Sequence, residues 1–279
     1  MKDADKKPKP PRPSHPQPKP WLGADELLPA TFAWDSPALH LSTRRDDVSL
    51  PHILAMDRAA RELISWAYAH QPGDATDEAF ENSAGALHEA YQAWQDDNLS
   101  RNAIVPRCTK GCDACCRQYP LGIHAFEVLR IHAILAPTPE FSEILEKCRK
   151  RAEQFVLMQA FVATQYGADG WDAEDLEALA QEHDFDQGHR CPFLESDGAC
   201  GIHRIRPFTC RMFLSLSEPR YCSAELNTAP EANQVTFPPE EAVTLRLERL
   251  DRALDWWGHD GSLFGSLWKL CERIRTLKA

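Results

Sequence analysis

The stretch Cys108-Thr-Lys-Gly-Cys112-Asp-Ala-Cys115-Cys116 places four cysteines within nine residues. A second set follows in Cys191-Pro-Phe-Leu-Glu-Ser-Asp-Gly-Ala-Cys200 and in Arg206-Pro-Phe-Thr-Cys210-Arg211. Thiolates are soft ligands that suit zinc and iron–sulfur clusters. Two compact loops that folding brings together can therefore surround a metal with sulfur, and the rest of the chain is expected to be their scaffold.

Two of the ten cysteines follow a different pattern. Cys148 continues an apolar stripe that begins at Phe141, and Cys271 continues one that begins at Phe264, both at helical spacing. A free cysteine behaves as a small apolar side chain when it is buried. We therefore predict that these two lie in the hydrophobic core and that the other eight serve a different purpose.

Disulfides and unliganded thiols are the alternatives to metal binding for the clustered cysteines. The opening residues, Met1-Lys-Asp-Ala-Asp-Lys-Lys-Pro, contain no apolar stretch that resembles a signal peptide. We therefore expect a cytoplasmic protein, and disulfides rarely persist in that reducing compartment. Clustering at short spacing favours metal ligands over thiols without a partner.

The predicted metal ligands are the seven most tightly clustered thiols, which are Cys108, Cys112, Cys115, Cys116, Cys191, Cys200 and Cys210. His203 and Cys222 are left open as further ligands. Seven or eight thiolates exceed one tetrahedral site, so two metal sites, a sulfur-bridged pair or one cluster with additional cysteines all remain open. The expected cofactor is zinc or iron, including a [4Fe–4S] cluster.

Arg206 and Arg211 flank the last of these cysteines and are predicted to be cofactor-binding residues. A thiolate-rich metal site carries net negative charge, which a nearby guanidinium would offset while donating hydrogen bonds to sulfur. The alternative is an ordinary salt bridge to an acidic residue such as Glu195 or Asp197.

The ordered pattern of cysteines, together with Cys200-x-Ile-His203 and Arg206-Pro207-x-x-Cys210-Arg211, resembles a bacterial cysteine-cluster family described as a zinc- or iron-chelating domain. The resemblance covers Cys108 to Arg211. It implies metal binding without fixing the chemistry. One branch of the family resembles flagellin lysine methylases, which implies a metal-dependent, protein-modifying enzyme as the alternative function.

Cys108, Cys112 and Cys115 also have the spacing of radical S-adenosylmethionine enzymes, in which three cysteines hold a [4Fe–4S] cluster. That class usually has an aromatic residue before the third cysteine, where this chain has Ala114. It also needs repeated strand–helix units, and the sequence after Cys116 has helical periodicity instead. The spacing alone therefore does not indicate a radical enzyme.

The remaining sequence predicts an all-α fold, an irregular helical bundle with the cysteine loops between helices. A stripe from Met56 and a second one over about 75–97 predict a helical hairpin that turns through Gln71-Pro-Gly73. Further helices are predicted over 123–135, about 138–165, 172–183, 239–257 and 262–278. The sequence contains no sustained alternation of apolar and polar residues, so no strand is predicted.

Composition limits the domain organisation and the partners. Residues 1–20 combine prolines with six basic and two acidic side chains, so we predict a disordered tail, followed by one helical domain over 21–279 whose metal-binding core is 104–223. The net charge is −11 overall and +4 in the tail, so the remainder carries −15 and should repel nucleic acid. No apolar run approaches the about 20 residues that span a membrane. A metal ion is the expected partner, and a protein partner or substrate is left open.

Overall fold

The structure is a computed structural model that describes residues 38–40, 49–166, 171–227, 229 and 231–278. Helices dominate the described ranges, so the predicted all-α class is confirmed. Their bounds are α1 Ser49–Ala69, α2 Glu78–Arg101, α3 Ala125–Leu135, α4 Phe141–Tyr166, α5 Ala173–Asp186, α6 Phe208–Met212, α7 Glu241–Leu254 and α8 Leu263–Lys278.

Helices α1 and α2 form the predicted hairpin. The Asp77 carboxylate accepts a hydrogen bond from the Phe80 amide at 2.9 Å and thereby caps the first turn of α2. Helix α1 begins at Ser49, earlier than the predicted start at Met56. The difference arises at Pro51, because a proline usually indicates that a helix is interrupted. In a first turn, however, proline is tolerated, since a backbone N–H at that position would have no intrahelical acceptor.

Helix α3 lies at the centre of the fold and contacts α2, α7 and α8. Every residue from Ala125 to Ile131 is buried, including the charged residues Glu127 and Arg130. A helix that is buried on all sides is expected to be apolar all round. The two charged side chains therefore need partners inside the protein.

Helix α4 packs against α5 and α8. Its Arg151 forms a buried ion pair with Asp184 of α5, with 2.8 Å between Nη1 and Oδ1. Cys148 on α4 and Cys271 on α8 are both buried in the hydrophobic core. The prediction that these two cysteines are core residues is confirmed.

Three short strands form a small sheet, although the sequence predicts no strand. They are β1 Ala38–His40, β2 Phe213–Ser215 and β3 Gln234–Thr236. The middle strand is β3, which pairs parallel to β1 and antiparallel to β2. Three residues are too few to show an alternating pattern, so the strands carry no detectable sequence signal. The sheet matters because β2 adjoins the cysteines.

Some predictions concern residues that the structure does not describe. The disordered tail over 1–20 lies outside the described residues, and so does most of the segment that follows it up to residue 48. The division into this tail and one domain over 21–279 stays a prediction. Of the helices in the described ranges, none combines the length and the apolar character that crossing a bilayer requires.

Candidate metal centre

The first cysteine loop lies between α2 and α3 and is built from tight turns. The Cys112 amide donates to the Thr109 carbonyl at 3.1 Å, and the Cys116 amide donates to the Asp113 carbonyl at 3.0 Å. Cys115 and Cys116 begin a single 3₁₀ turn that ends at Arg117. These turns fold the four thiols of the loop into a small volume.

The second cysteine loop lies between α5 and α6 and contains a small hairpin. Leu194 and Cys200 form an isolated antiparallel bridge, and the Glu195 amide donates to the Ala199 carbonyl at 2.8 Å. Gly198 closes the hairpin with a φ of +82°, a conformation that favours glycine. Cys191 and Cys200 lie close enough that, in addition to burial, the charge of Cys200 raises the pKa of Cys191.

The two loops meet through their backbones. The Cys191 amide donates to the Cys116 carbonyl at 3.0 Å, so the loops are hydrogen-bonded at a cysteine of each. Gly198 and Gly111 cross so closely that a Cβ added to Gly198 would lie 2.7 Å from the Gly111 carbonyl oxygen. Only glycine fits at such a crossing. The 74 residues between Cys116 and Cys191 are therefore closed into a loop by tertiary contacts.

Two further cysteines reach the centre from the segment that contains α6 and β2. Cys210 lies in the middle of α6, an exception to the prediction that the cysteines occupy irregular segments. The Ser215 amide of β2 donates to the Cys108 sulfur at 3.3 Å. The Cys222 thiol shares a hydrogen bond with the Ser215 side chain. Cys222, which the sequence leaves open, therefore lies beside the first loop.

Cys115 is at the centre of this group of thiols. Its charge raises the pKa of five other cysteines, which are Cys108, Cys191, Cys200, Cys210 and Cys222. The pKa of Cys115 itself is raised, first by a hydrogen bond with Cys116 and then by burial. Folding thus brings thiols from three separated segments to one place, although the residues at Cys108 and Cys115 keep exposed surface.

Burial is the main reason why the pKa of most of these thiols is raised. It raises the pKa of Cys191 to about 12 and the pKa of Cys210 well above its ordinary value. Gathering several thiolates here therefore requires compensating positive charge. In the described ranges, no three His, Cys, Asp or Glu side chains are already arranged to enclose a metal ion. The sulfurs share one region, and metal binding would require their side chains to turn toward a common point.

Arg206 supplies positive charge at this centre. The pKa of Cys108 and Cys200, which burial raises, and that of Cys115, which the Cys116 hydrogen bond and burial raise, would be higher still without the charge of Arg206. Its Nε is buried and has no hydrogen-bond acceptor within the part of the chain that the structure describes. A buried donor normally has an acceptor. The sulfur-rich set and this donor without an acceptor both fit an anionic, sulfur-liganded metal centre.

Arg211 has a different environment from Arg206. Its Nε donates to the Arg206 carbonyl and its Nη2 to the Arg204 carbonyl, both at 2.7 Å. Burial, followed by the charge of Arg206, lowers the pKa of Arg211 to about 10. Arg211 therefore holds the backbone of the loop that carries Arg206, and these bonds differ from both a surface salt bridge and a direct contact with sulfur.

His203 lies at the edge of the centre and is exposed. Partial burial of its ring and the positive charges of Arg206 and Arg211 lower the pKa of its imidazole. A neutral imidazole is the form that binds metals. Its role as a ligand stays open.

The sequence analysis missed polar residues that hold the Cys210 segment from neighbouring helices. Gln95 of α2 donates through Nε2 to the Arg211 carbonyl at 3.0 Å. Glu127 of α3 accepts a hydrogen bond from the Phe208 amide at 2.7 Å. The sequence does contain an indication of Glu127, because Ala-Phe-Glu-Val-Leu-Arg-Ile places two charged residues in an otherwise apolar helix. Gln95 carries no such signal.

Comparison with known protein families agrees with this centre. Residues 107–231 match the family of the CxxCxxCC type, which is described as "Putative zinc- or iron-chelating domain". This range contains all eight thiols of the centre together with Arg206 and Arg211. The match confirms the predicted resemblance of this segment to the zinc- or iron-chelating domains. No curated protein and no solved structure shows significant similarity to the chain.

Proposed function

We propose that this protein binds zinc or an iron–sulfur cluster in a structural, redox or auxiliary role. The proposed ligands are Cys108, Cys112, Cys115, Cys116, Cys191, Cys200 and Cys210. The observation that carries the proposal is the gathering of thiols from three chain segments around Cys115. Zinc would contribute folding free energy, and an iron–sulfur cluster would exchange electrons.

The number of thiols favours an iron–sulfur cluster or two zinc sites over a single zinc ion. A tetrahedral zinc site is complete with four ligands. The seven proposed thiol ligands exceed that number. In this proposal the chain's own residues hold the thiols together, and Arg206 offsets their negative charge.

Anaerobic purification followed by elemental analysis and visible spectroscopy tests the proposal. We expect iron or zinc in stoichiometric amount, and a brown protein with broad visible absorption if the metal is an iron–sulfur cluster. A colourless, metal-free protein that stays stably folded after attempted reconstitution with iron, sulfide and zinc would overturn the proposal.

The role of Arg206 is tested by its replacement with an uncharged residue. Arg206→Gln is expected to weaken metal retention, or to lower the reduction potential of a cluster, because loss of a nearby positive charge favours the less negative, oxidised state. Arg206→Lys is the matched control, since it keeps the charge. Equal retention and potential in wild type and Arg206→Gln would show that Arg206 does not stabilise the centre.

No observation on the described residues specifically favours the alternative of a protein-modifying enzyme related to lysine methylases. Whether the protein is an enzyme therefore stays open, and so do its protein partner and its cytoplasmic location.

A further inference from the structure

The buried Glu127 carboxylate of α3 is saturated by hydrogen-bond donors. Its Oε1 accepts from the Phe208 amide at 2.7 Å and lies 3.2 Å from His88 Nε2, while its Oε2 accepts from the His124 amide at 2.9 Å. Burial alone would raise the pKa of Glu127, but the hydrogen bond from His88 and the charge of His124 hold it below its ordinary value. Glu127 is therefore an ionised carboxylate in the core.

The neighbouring arginine determines the tautomer of His88. Arg130 Nη1 lies 2.7 Å from His88 Nδ1. A guanidinium can only donate, so Nδ1 accepts and the ring proton is on Nε2, which donates to Glu127. Burial lowers the pKa of His88, in agreement with a neutral ring. Arg130, whose own ion pair is with Glu81, is thus linked to the Glu127 carboxylate by hydrogen bonds through the neutral His88 ring.

The Phe208 amide that Glu127 binds begins α6, and Cys210 follows two residues later. A helix of five residues has little stability of its own, so contacts from outside must set its position. Glu127 fixes its beginning, and Gln95 of α2 binds the Arg211 carbonyl near its end. Cys210 lies between these two anchors.

We propose that Glu127 is a positioning residue for the metal centre, which holds Cys210 in place through the Phe208 amide while His88 and the His124 amide donate hydrogen bonds to its carboxylate. The inference rests on the proposed binding of metal by Cys210. Glu127 is not proposed as a ligand, because both of its oxygens already accept hydrogen bonds.

The decisive variant is Glu127→Gln in the full chain, purified without oxygen. A glutamine amide offers one oxygen and two N–H donors, so one of its N–H groups must face another N–H group at this site. We expect a roughly 10–100-fold lower metal affinity in competition with a chelator, as for other residues that orient metal ligands. We also expect a changed visible spectrum, or a changed cobalt spectrum if the native metal is zinc.

Two further variants separate positioning from general loss of stability. Asp57→Asn weakens a partly buried ion pair between α1 and α7, in which Asp57 accepts from Arg246 at 2.9 Å. It should lower the melting temperature and leave metal affinity unchanged. His88→Gln removes the hydrogen-bonded link between Arg130 and Glu127 without changing the carboxylate. It should also weaken metal binding, and it serves as the test if Glu127→Gln does not fold.

Alkylation of Cys210 provides a readout that does not depend on metal. The metal-free wild type and the Glu127→Gln variant are treated with iodoacetamide, and mass spectrometry follows Cys210 against the core residue Cys148. Cys210 should react at least several-fold faster in the variant, while Cys148 stays protected. A wild type without metal would overturn only the proposed function. Unchanged Cys210 reactivity in Glu127→Gln and His88→Gln would overturn the positioning role.

Discussion

Cysteines occur in two environments in this molecule, and the contrast shows how context decides their chemistry. Cys148 and Cys271 are buried on helices α4 and α8, where apolar neighbours surround them. The eight others lie in or beside loops, where thiols act on one another and Arg206 acts on three of them, Cys108, Cys115 and Cys200. The helices bury their thiols among apolar side chains, although Cys148 lies near enough to Cys191 for that thiol to raise its pKa in addition to burial; the loops place their thiols among several others.

The two regions also differ in what holds them in place. Side-chain packing fixes the helical cysteines, so they depend on volume and polarity. Backbone hydrogen bonds and a glycine crossing fix the cysteine loops, as the Cys191 amide and Gly198 illustrate. Substitutions should therefore damage the two regions in different ways.

The largest effect is expected when a loop cysteine loses its sulfur. Cys112→Ser or Cys200→Ser should strip the metal, or weaken binding by more than about 100-fold, because a hydroxyl is a poor ligand for a thiophilic metal. The melting temperature should fall together with the metal content. Metal content and thermal unfolding measure both effects.

Cys148→Ala is the matched control for these variants. It removes a thiol from the helical region and should retain full metal content. Loss of metal in Cys148→Ala together with full occupancy in Cys112→Ser would reverse the distinction between the two regions.

The next effect concerns the crossing of the loops. Gly198→Ala should cost about 1–2 kcal/mol for its positive φ and more for the contact with the Gly111 carbonyl. Gly258→Ala is matched in φ, at +77°, but a Cβ there meets no atom of the described residues within 4 Å. Chemical denaturation gives the difference between the two variants. Equal losses would show that the crossing tolerates a side chain.

A smaller effect should distinguish the helical region from the loops. Cys148→Ser buries a hydroxyl in an apolar site and should cost about 1–3 kcal/mol of unfolding free energy relative to Cys148→Ala. Metal content should be the same in both variants. If serine at this position also reduced metal content, the helical and loop regions would be coupled more tightly than their contacts indicate.

The smallest effect is a pH dependence within the helical scaffold. His124 Nδ1 lies 2.8 Å from Asp251 Oδ2 and joins α3 to α7. Burial opposes protonation of His124, but its hydrogen bond to the Asp251 carboxylate and the charges of nearby acids raise its pKa above the ordinary value of 6.5. The pair should therefore contribute at most about 1 kcal/mol, fully present below pH 6.5 and lost as pH rises through the folded pKa. Denaturation of wild type and His124→Gln across this range should show the contribution only in wild type.

The sequence predicts the helices well because their apolar stripes are long. Helices α3 and α8 begin within two residues of their predicted starts. The three strands escape prediction because each pairs over only three residues, and pairing depends on partners far away in the chain. Helix α6 escapes because its position comes from Glu127 and Gln95 rather than from its own sequence.

The candidate site, like the fold, is predictable from the sequence only in part. Cysteine spacing predicts the seven thiols of the site but leaves Cys222 open, and only the fold places Cys222 beside the first loop. The environments of Arg206 and Arg211 cannot be distinguished from the sequence, because both lie within four residues of Cys210. Only tertiary contacts show that Arg211 binds carbonyl groups while Arg206 faces the thiols.

The hydrogen bond between the Cys191 amide and the Cys116 carbonyl has a consequence for biosynthesis. The 74 residues between these cysteines must leave the ribosome before the bond can form. At about 5–20 residues per second this takes roughly 4–15 s. During that time the first four thiols of the nascent chain lack the partners that the second loop supplies, so a centre built from both loops can be completed only after the second loop has been translated.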